Sequence, residues 1–377
     1  MREPAAGPRL SDRQRLNWLR LIRTQNVGPA SFRDLINRFG SAEAALEILP
    51  ELMISGGASR IVRIPSIAEA EAEMEAARKA GARFVGIGEA DYPPLLRGID
   101  HPPPLLAVKG NPAVFRLPGI AIVGSRNASL AGIKMARMLA TDLGGEGYGI
   151  VSGLARGIDT AAHQGSLATG TVGVLAGGLD LPYPPENAGL CEEIAERGVI
   201  ISEMPFGWQP RAQDFPRRNR LVAGASLGLV VVEAAQRSGS LISARLAGEM
   251  GRLVFAVPGS PLDPRAAGTN GLLKDGATLV TEASDISGAI APLTGMRAPE
   301  VPPFENTADF STTPPPGDSD RAKVTEALGP VPVSVDEVIR HTGLHPAHVF
   351  MVLLELDLAG RLERHSGGQV SLVLGEG

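Results

Sequence analysis

At 377 residues the chain is too long for one ordinary domain and long enough for two or three. Its 44% hydrophobic content argues against wholesale disorder, and its single cysteine, Cys191, excludes an internal disulfide framework and a Cys-rich zinc site. A net charge of −5 argues against a chain that coats nucleic acid indiscriminately, while leaving room for a local basic pocket.

With 46 Gly and 31 Pro, many short elements joined by specific turns are expected rather than long bundles. The opening residues lack the apolar core of a signal peptide, and no stretch reaches the roughly 18 apolar residues of a membrane span. A soluble, cytoplasmic protein without membrane contact is the expectation.

Residues 1–88 read as a small helical domain. Leu16, Leu19 and Ile22, then Phe32, Leu35, Ile36 and Phe39, recur at helical spacing, and Ser41 and Ser66 open two further helices. The passage 91–118, with its bends DYPPLL and HPPPLL, reads as a connector laid against the next domain. From Gly119 the pattern becomes βα repeats. Apolar runs at 119–123, 148–152, 171–176, 199–202, 227–233 and 252–257 alternate mostly with helix-length segments, and 278–280 closes the series. Such strands indicate a mostly parallel sheet buried on both faces, in a doubly wound, Rossmann-like α/β domain over 89–290. A Pro-rich linker is expected at 291–320. Three helical segments and a hairpin turning at Gly367-Gly368 then outline a winged helix at 321–377.

The chemistry concentrates where strands end. The first strand runs into Gly124-Ser125-Arg126, the second into SGLARGIDTAAH, which opens with Ser152-Gly153 and carries Arg156, Asp159 and His163. The fifth leads to Glu233 and then Ser238-Gly239-Ser240. Small residues before helix N-termini form anion sites from backbone amides and the helix dipole. The sharpest charge feature is Arg211, Arg217, Arg218 and Arg220 against Asp214 alone, with Phe215 and Asn219 among them. Arginine with an interleaved aromatic suits phosphate contact combined with base stacking. Asp159 and His163, four apart, are expected to pair on one helical face as a structural motif rather than to form a dyad with Ser152. Glu233 reads as a partner for an arginine in preference to a general base. No P-loop, GxGxxG, HExxH or GxSxG motif occurs, and no cofactor or metal is expected. The would-be recognition segment, His345 to Gly360, has no Lys or Arg and carries Glu355 and Asp357, which favours a protein-contact or spacer role over groove reading.

The motifs GSR at 124–126, SGLARGIDTAAH, GVLAGGLDLPYPPEN, SEMPFG…FPRRNRLVAG and VVEAAQRSGSLISARLAGEMGR, in that order over about residues 90–285, resemble the DNA-processing protein A (DprA/Smf) family. The resemblance implies a sterile-alpha-motif-like N-terminal domain, a Rossmann-like domain binding single-stranded DNA without cleaving it, and a C-terminal winged helix. It further implies protection of incoming strands in natural transformation, help in loading RecA recombinase, and a homodimer formed through the Rossmann-like domain. Carried onto matching positions, Arg126, Arg218 and Arg220 become the DNA-contacting cations, with Phe215 near a base and the Gly/Ser loops lining the pocket. Two alternatives stand beside it. The strand-end Glu233 and its Gly/Ser loop partly resemble nucleotide phosphoribohydrolases, and a winged-helix regulator with a nucleotide effector in its sheet is the third reading.

Overall fold

The computed structural model describes residues 9–60, 62–294 and 314–373. It divides into two compact units, one over Ala72–Val301 and one combining Leu10–Glu71 with Pro302–Gly377. The residues from 295 to 313 of the expected linker lie outside those described.

In the second unit, α1 (Asp12–Arg23) opens on a capping box in which Ser11 and Gln14 satisfy each other's backbone amides. The helix α2 (Pro29–Phe39) starts at a proline and stops at Gly40, which takes the left-handed conformation. Ser41 accepts from the Ala44 amide and starts α3 (Ala42–Ser55). Trp18 packs edge-on against Phe32 with ring centroids 5.1 Å apart and is a buried core residue. The helix α4 (Ile67–Lys79) carries the chain into the first unit.

A nine-stranded sheet organises that first unit, in the order β1-β2-β6-β5-β4-β3-β7-β8-β9. The strands are β1 (Ala82–Gly86), β2 (Leu105–Gly110), β3 (Gly119–Val123), β4 (Gly149–Ser152), β5 (Thr171–Val174), β6 (Val199–Ser202), β7 (Gly228–Val231), β8 (Leu253–Ala256) and β9 (Thr278–Leu279). From β6 to β9 all pairings are parallel, whereas β1 and β2 pair antiparallel to each other and β2 antiparallel to β6. The doubly wound reading holds, with two corrections. Residues 82–86 belong to the sheet rather than to the helical domain, and 91–118 is no mere connector. Its prolines mask a six-residue strand, LLAVKG, buried over its first four residues, which prolongs the sheet past β6.

The helices α5 (Leu130–Gly145), α6 (Ile158–Ser166) and α11 (Ala283–Ile290) cover the central strands, meeting Ile120, Ile122, Ile150, Val230 and Phe255 in one core. The helix α7 (Ala188–Arg197) lies on β5 and β6. Its Cys191 is buried, which pushes the thiol up to about 12 and leaves it inert near neutrality. The helices α8 (Asp214–Gly224) and α9 (Gly239–Glu249) pack together, with α9 on β7 and β8, and α10 (Ala267–Lys274) follows β8. No helix among the described residues is long and apolar enough to cross a membrane.

The winged helix comprises α12 (Asp318–Glu326), β10 (Val333–Ser334), α13 (Val335–Thr342), α14 (Pro346–Leu358), β11 (Leu362–His365) and β12 (Gln369–Leu372). Its sheet order is β10-β12-β11, all antiparallel, and Gly367 and Gly368 turn the hairpin with positive φ.

Candidate nucleic-acid interface

The chain runs outward from β3 through β4 and β5 to β6, then returns to place β7 on the other side of β3. This reversal is a topological switch point, and a crevice opens beyond the carboxyl ends of β3 and β7 as doubly wound sheets require. It encloses about 510 Å³. The loop Gly124–Asn127 forms one wall, the α9 start at Ser238–Ser240 faces it, and α8 contributes Phe215, Arg218 and Asn219. Gly124 is required there, because a Cβ would lie 2.7 Å from Ile158 and 2.9 Å from the Glu233 carbonyl. The Ser125 amide donates to that carbonyl at 2.7 Å and ties the loop to the end of β7.

Arg126 is exposed and lies over the Phe215 ring at 4.9 Å. The Tyr183 ring meets Phe215 from another side at 5.6 Å and remains 45% exposed. Across the crevice the Ser238 side chain accepts from the Ser240 amide at the α9 N-terminus, and the two hydroxyls are 2.7 Å apart. Arg237, exposed beside them, lines the same crevice. Neither Tyr183 nor Arg237 was singled out above. Both lie inside motifs quoted there, GVLAGGLDLPYPPEN and VVEAAQRSGSLISARLAGEMGR, and that membership was the available signal.

The arginine cluster separates into different jobs. Arg218 is only 6% exposed and donates to the carbonyls of Gly153 and, at 2.8 Å, Val174. It presses so closely on Gly153 that a side chain there would collide with the guanidinium. Arg217 and Arg220 point to the carboxylate of Glu203 instead, Arg217 at 3.0 Å. Arg220 also donates to the His101 carbonyl at 3.2 Å. Neither lines the crevice. Arg156 pairs with Glu186, and Gly153 with Arg156 and Tyr183 borders a smaller cavity of about 40 Å³ beside Arg126. Arg211 covers Trp208 at 4.6 Å, while the indole donates to buried Asp214 at 2.9 Å. Asn219 reaches the Gly239 carbonyl at 3.4 Å, linking α8 to α9.

The expected pairing of Asp159 with His163 is not made. Both lie buried on α6, but the Asp159 carboxylate accepts from the amides of Gly153 at 3.2 Å and Ala155 at 3.3 Å. Burial lifts its carboxyl above the usual range, and the charge of Arg218 pulls it back. His163 turns instead to Thr171, with Nδ1 and Oγ1 2.7 Å apart. The Thr171 hydroxyl lies 3.2 Å from the Ile150 carbonyl as well, so it joins the imidazole to β4. Ser152 donates to the Ile122 carbonyl at 2.6 Å from a fully buried position, so it has no access to the crevice. Spacing placed Asp159 and His163 on one helix, but the strand ends claimed each of them separately.

Burial, aided by the nearby Arg218 charge, pulls His163 down to about 3. The unfolded chain then binds a proton below about pH 6.5 that the folded chain refuses. Stability is therefore present above that pH and falls by about 1.4 kcal/mol per unit below it, down to about pH 3. His163→Asn should flatten the decline measured by denaturant titration between pH 6.5 and 4.5. An unchanged slope would assign the acid sensitivity elsewhere.

A family model described as DNA recombination-mediator protein A matches residues 83–291. The chain belongs to the DNA recombination-mediator protein A family. Models of a DprA-like N-terminal HHH domain and a DprA winged helix domain match residues 12–76 and 308–368. Protein Smf of Synechocystis is 31% identical, the match covering 95% of this chain and 98% of that protein. The X-ray structure of Streptococcus pneumoniae DprA superposes with a TM-score of 0.57 at 34% identity, over 74% of this chain and 93% of that one. The Helicobacter pylori DprA structure, described for its single-stranded DNA binding mode, gives 0.52 at 29% identity over 56% and 96%.

In this DprA-family chain Glu233 holds a helix start, and among the described residues it makes no direct ion pair with an arginine. Its carboxylate accepts from the Ser129 amide at 2.9 Å and from the Ser129 hydroxyl, at the start of α5. A carboxylate at a helix N-terminus satisfies the dipole and takes the place that a dinucleotide's pyrophosphate occupies in other Rossmann folds. The first residues of α9 line the crevice instead. The family match does not favour the phosphoribohydrolase alternative.

Proposed function

We propose that this chain binds single-stranded DNA, with little sequence preference, in the crevice between β3 and β7. The observation that carries the reading is Arg126, exposed and stacked on Phe215, facing the open N-terminus of α9 in one cleft. A guanidinium for phosphate, an aromatic face for a base and backbone amides for a second phosphate are what strand binding without groove readout uses. The DprA relatives, one described for its single-stranded DNA binding, support the same reading. Gly124, Ser125, Ser238, Gly239 and Ser240 form the phosphate-contacting backbone in this proposal. Arg218, Ser152 and Gly153 act behind it by holding the strand ends. In the cell the chain would protect incoming strands and help load RecA recombinase during natural transformation, as a homodimer and without a chemical step of its own.

A mobility-shift comparison of single-stranded and duplex oligonucleotides across several salt concentrations tests the proposal, with binding expected for single strands of unrelated sequence. Equal affinity for duplex would overturn it, and release of free base from nucleoside monophosphates would restore the enzyme reading. Within that assay, Phe215→Ala should cost about 1–3 kcal/mol of binding with little change in salt slope, because stacking displaces no counterion. Tyr183→Ala should act in the same direction if the stack continues through that ring. A Phe215→Ala variant that binds like the parent would remove the base from this part of the crevice.

A further inference from the structure

A recognition helix ordinarily has one apolar face, turned into its own domain, and one polar face offered to the DNA groove. In this chain α14 has two apolar faces. Val349, Val352, Leu353 and Leu356 join Val324, Val338, Leu362 and Val370 in the winged-helix core. Met351, Leu354 and Leu358 repeat the same helical spacing on the opposite side and are buried too, yet none of them belongs to that core, while Glu355 beside them is held by Arg321 of α12. The helices that α14 meets outside the winged helix are α2 and α3, within the same compact unit.

Polar contacts fix this docking. Arg364 donates to Asp357 at 2.8 Å and to Asp34 of α2 at 2.9 Å, and the Ser31 hydroxyl donates to Asp357 at 2.9 Å. Asn26, in the bend before α2, donates to the Leu358 carbonyl at 3.1 Å, one of the acceptors a helix end leaves open. Arg361 donates in turn to the Gly56 carbonyl at 3.1 Å. At Gly56 the two helices come so close that a methyl group would overlap the Glu355 carbonyl, although its φ of −74° suits any residue.

We propose that the winged helix is an intramolecular clasp. The face of α14 that would otherwise enter a DNA groove is the docking surface for α2 and α3 of the same chain, and the helix is closed to duplex DNA. This accounts for its lack of Lys and Arg, and it stands independently of how the crevice binds a strand.

The full-length chain carrying Ser31→Cys and Asp357→Cys tests it by mild oxidation. Cross-linking within one chain is expected, seen as a shifted monomer band without reductant. No cross-link, or a dimer band alone, would overturn the proposal, the latter by assigning the surface to a second copy. Gly56→Ala should speed amide exchange across residues 351–358 by about tenfold, the scale of an overpacked contact. Gly28→Ala, where a methyl group meets no atom within 4 Å, should leave it unchanged. Unaltered exchange in Gly56→Ala would count against the clasp, as would protection of residues 346–358 by added duplex in the parent. Should Gly56→Ala fail to fold, the cross-link decides.

Discussion

Replacing Arg126 by Ala is expected to weaken single-strand binding about 10- to 100-fold, the value of a hydrogen bond to a charged group. Among the crevice cations Arg126 is exposed and enters no ion pair among the described residues that would compete with a phosphate, whereas Arg218 is buried against carbonyls. Arg217 and Arg220 share the carboxylate of Glu203. Each phosphate neutralised on a single strand contributes about −0.7 to the slope of log affinity against log salt. Arg126→Ala should therefore flatten that slope by about 0.7, equally for every sequence. Lys at this position should recover the slope more fully than the affinity, because an ammonium supplies the charge without the fork. Arg220→Ala should move both quantities less, since Glu203 already compensates its charge. An Arg126→Ala variant with the parent's affinity and slope would show that the strand passes elsewhere.

The difference between these arginines was not legible in the sequence. Local composition shows four cations in ten residues, and an Arg-rich turn beside a phenylalanine reads as a nucleic-acid contact. Glu203 stands 14 and 17 residues before its two partners, and only the return from β6 to α8 brings them together. The parallel strands were legible because each is a continuous apolar run between turn residues, which burial on both faces demands. The antiparallel strands were not. ARFVG follows directly on a helix and LLAVKG lies behind three prolines, so punctuation outweighed pattern. Asp159 and His163 failed in the opposite way. Their spacing is right for a pair, but a buried carboxylate is better served by two amides, and the imidazole by a hydroxyl already within reach on β5. The double apolar stripe of α14 was present in the sequence as two interleaved repeats, yet a single-face reading absorbs one and leaves the other as surplus.

Arg218→Ala is expected to act on the fold before it acts on DNA. The guanidinium fastens the ends of β4 and β5 through the carbonyls of Gly153 and Val174, and it supplies the positive charge that the buried Asp159 faces. Burial draws Arg218 itself down to about 10, so it remains a cation at neutral pH. Removing it leaves the buried carboxylate at the crevice floor without the cation that most favours its charge, which costs about 3–5 kcal/mol. A unit of this size should then melt about 6–20 °C lower. The sign of the pH dependence follows from Asp159. Its folded carboxyl already titrates above the unfolded value, and loss of Arg218 raises it further. The folded variant thus holds a proton that the unfolded chain releases, and this favours the fold at low pH and is lost as pH rises through the folded pKa. The stability gap between variant and parent should be narrower at pH 5 than at pH 7.5. Adding Asp159→Asn to Arg218→Ala removes the stranded charge while keeping an acceptor for the two amides, so melting should recover in part. Single-strand affinity should follow the melting temperature through this series. A variant that melts like the parent and still loses the strand would make Arg218 a direct phosphate contact.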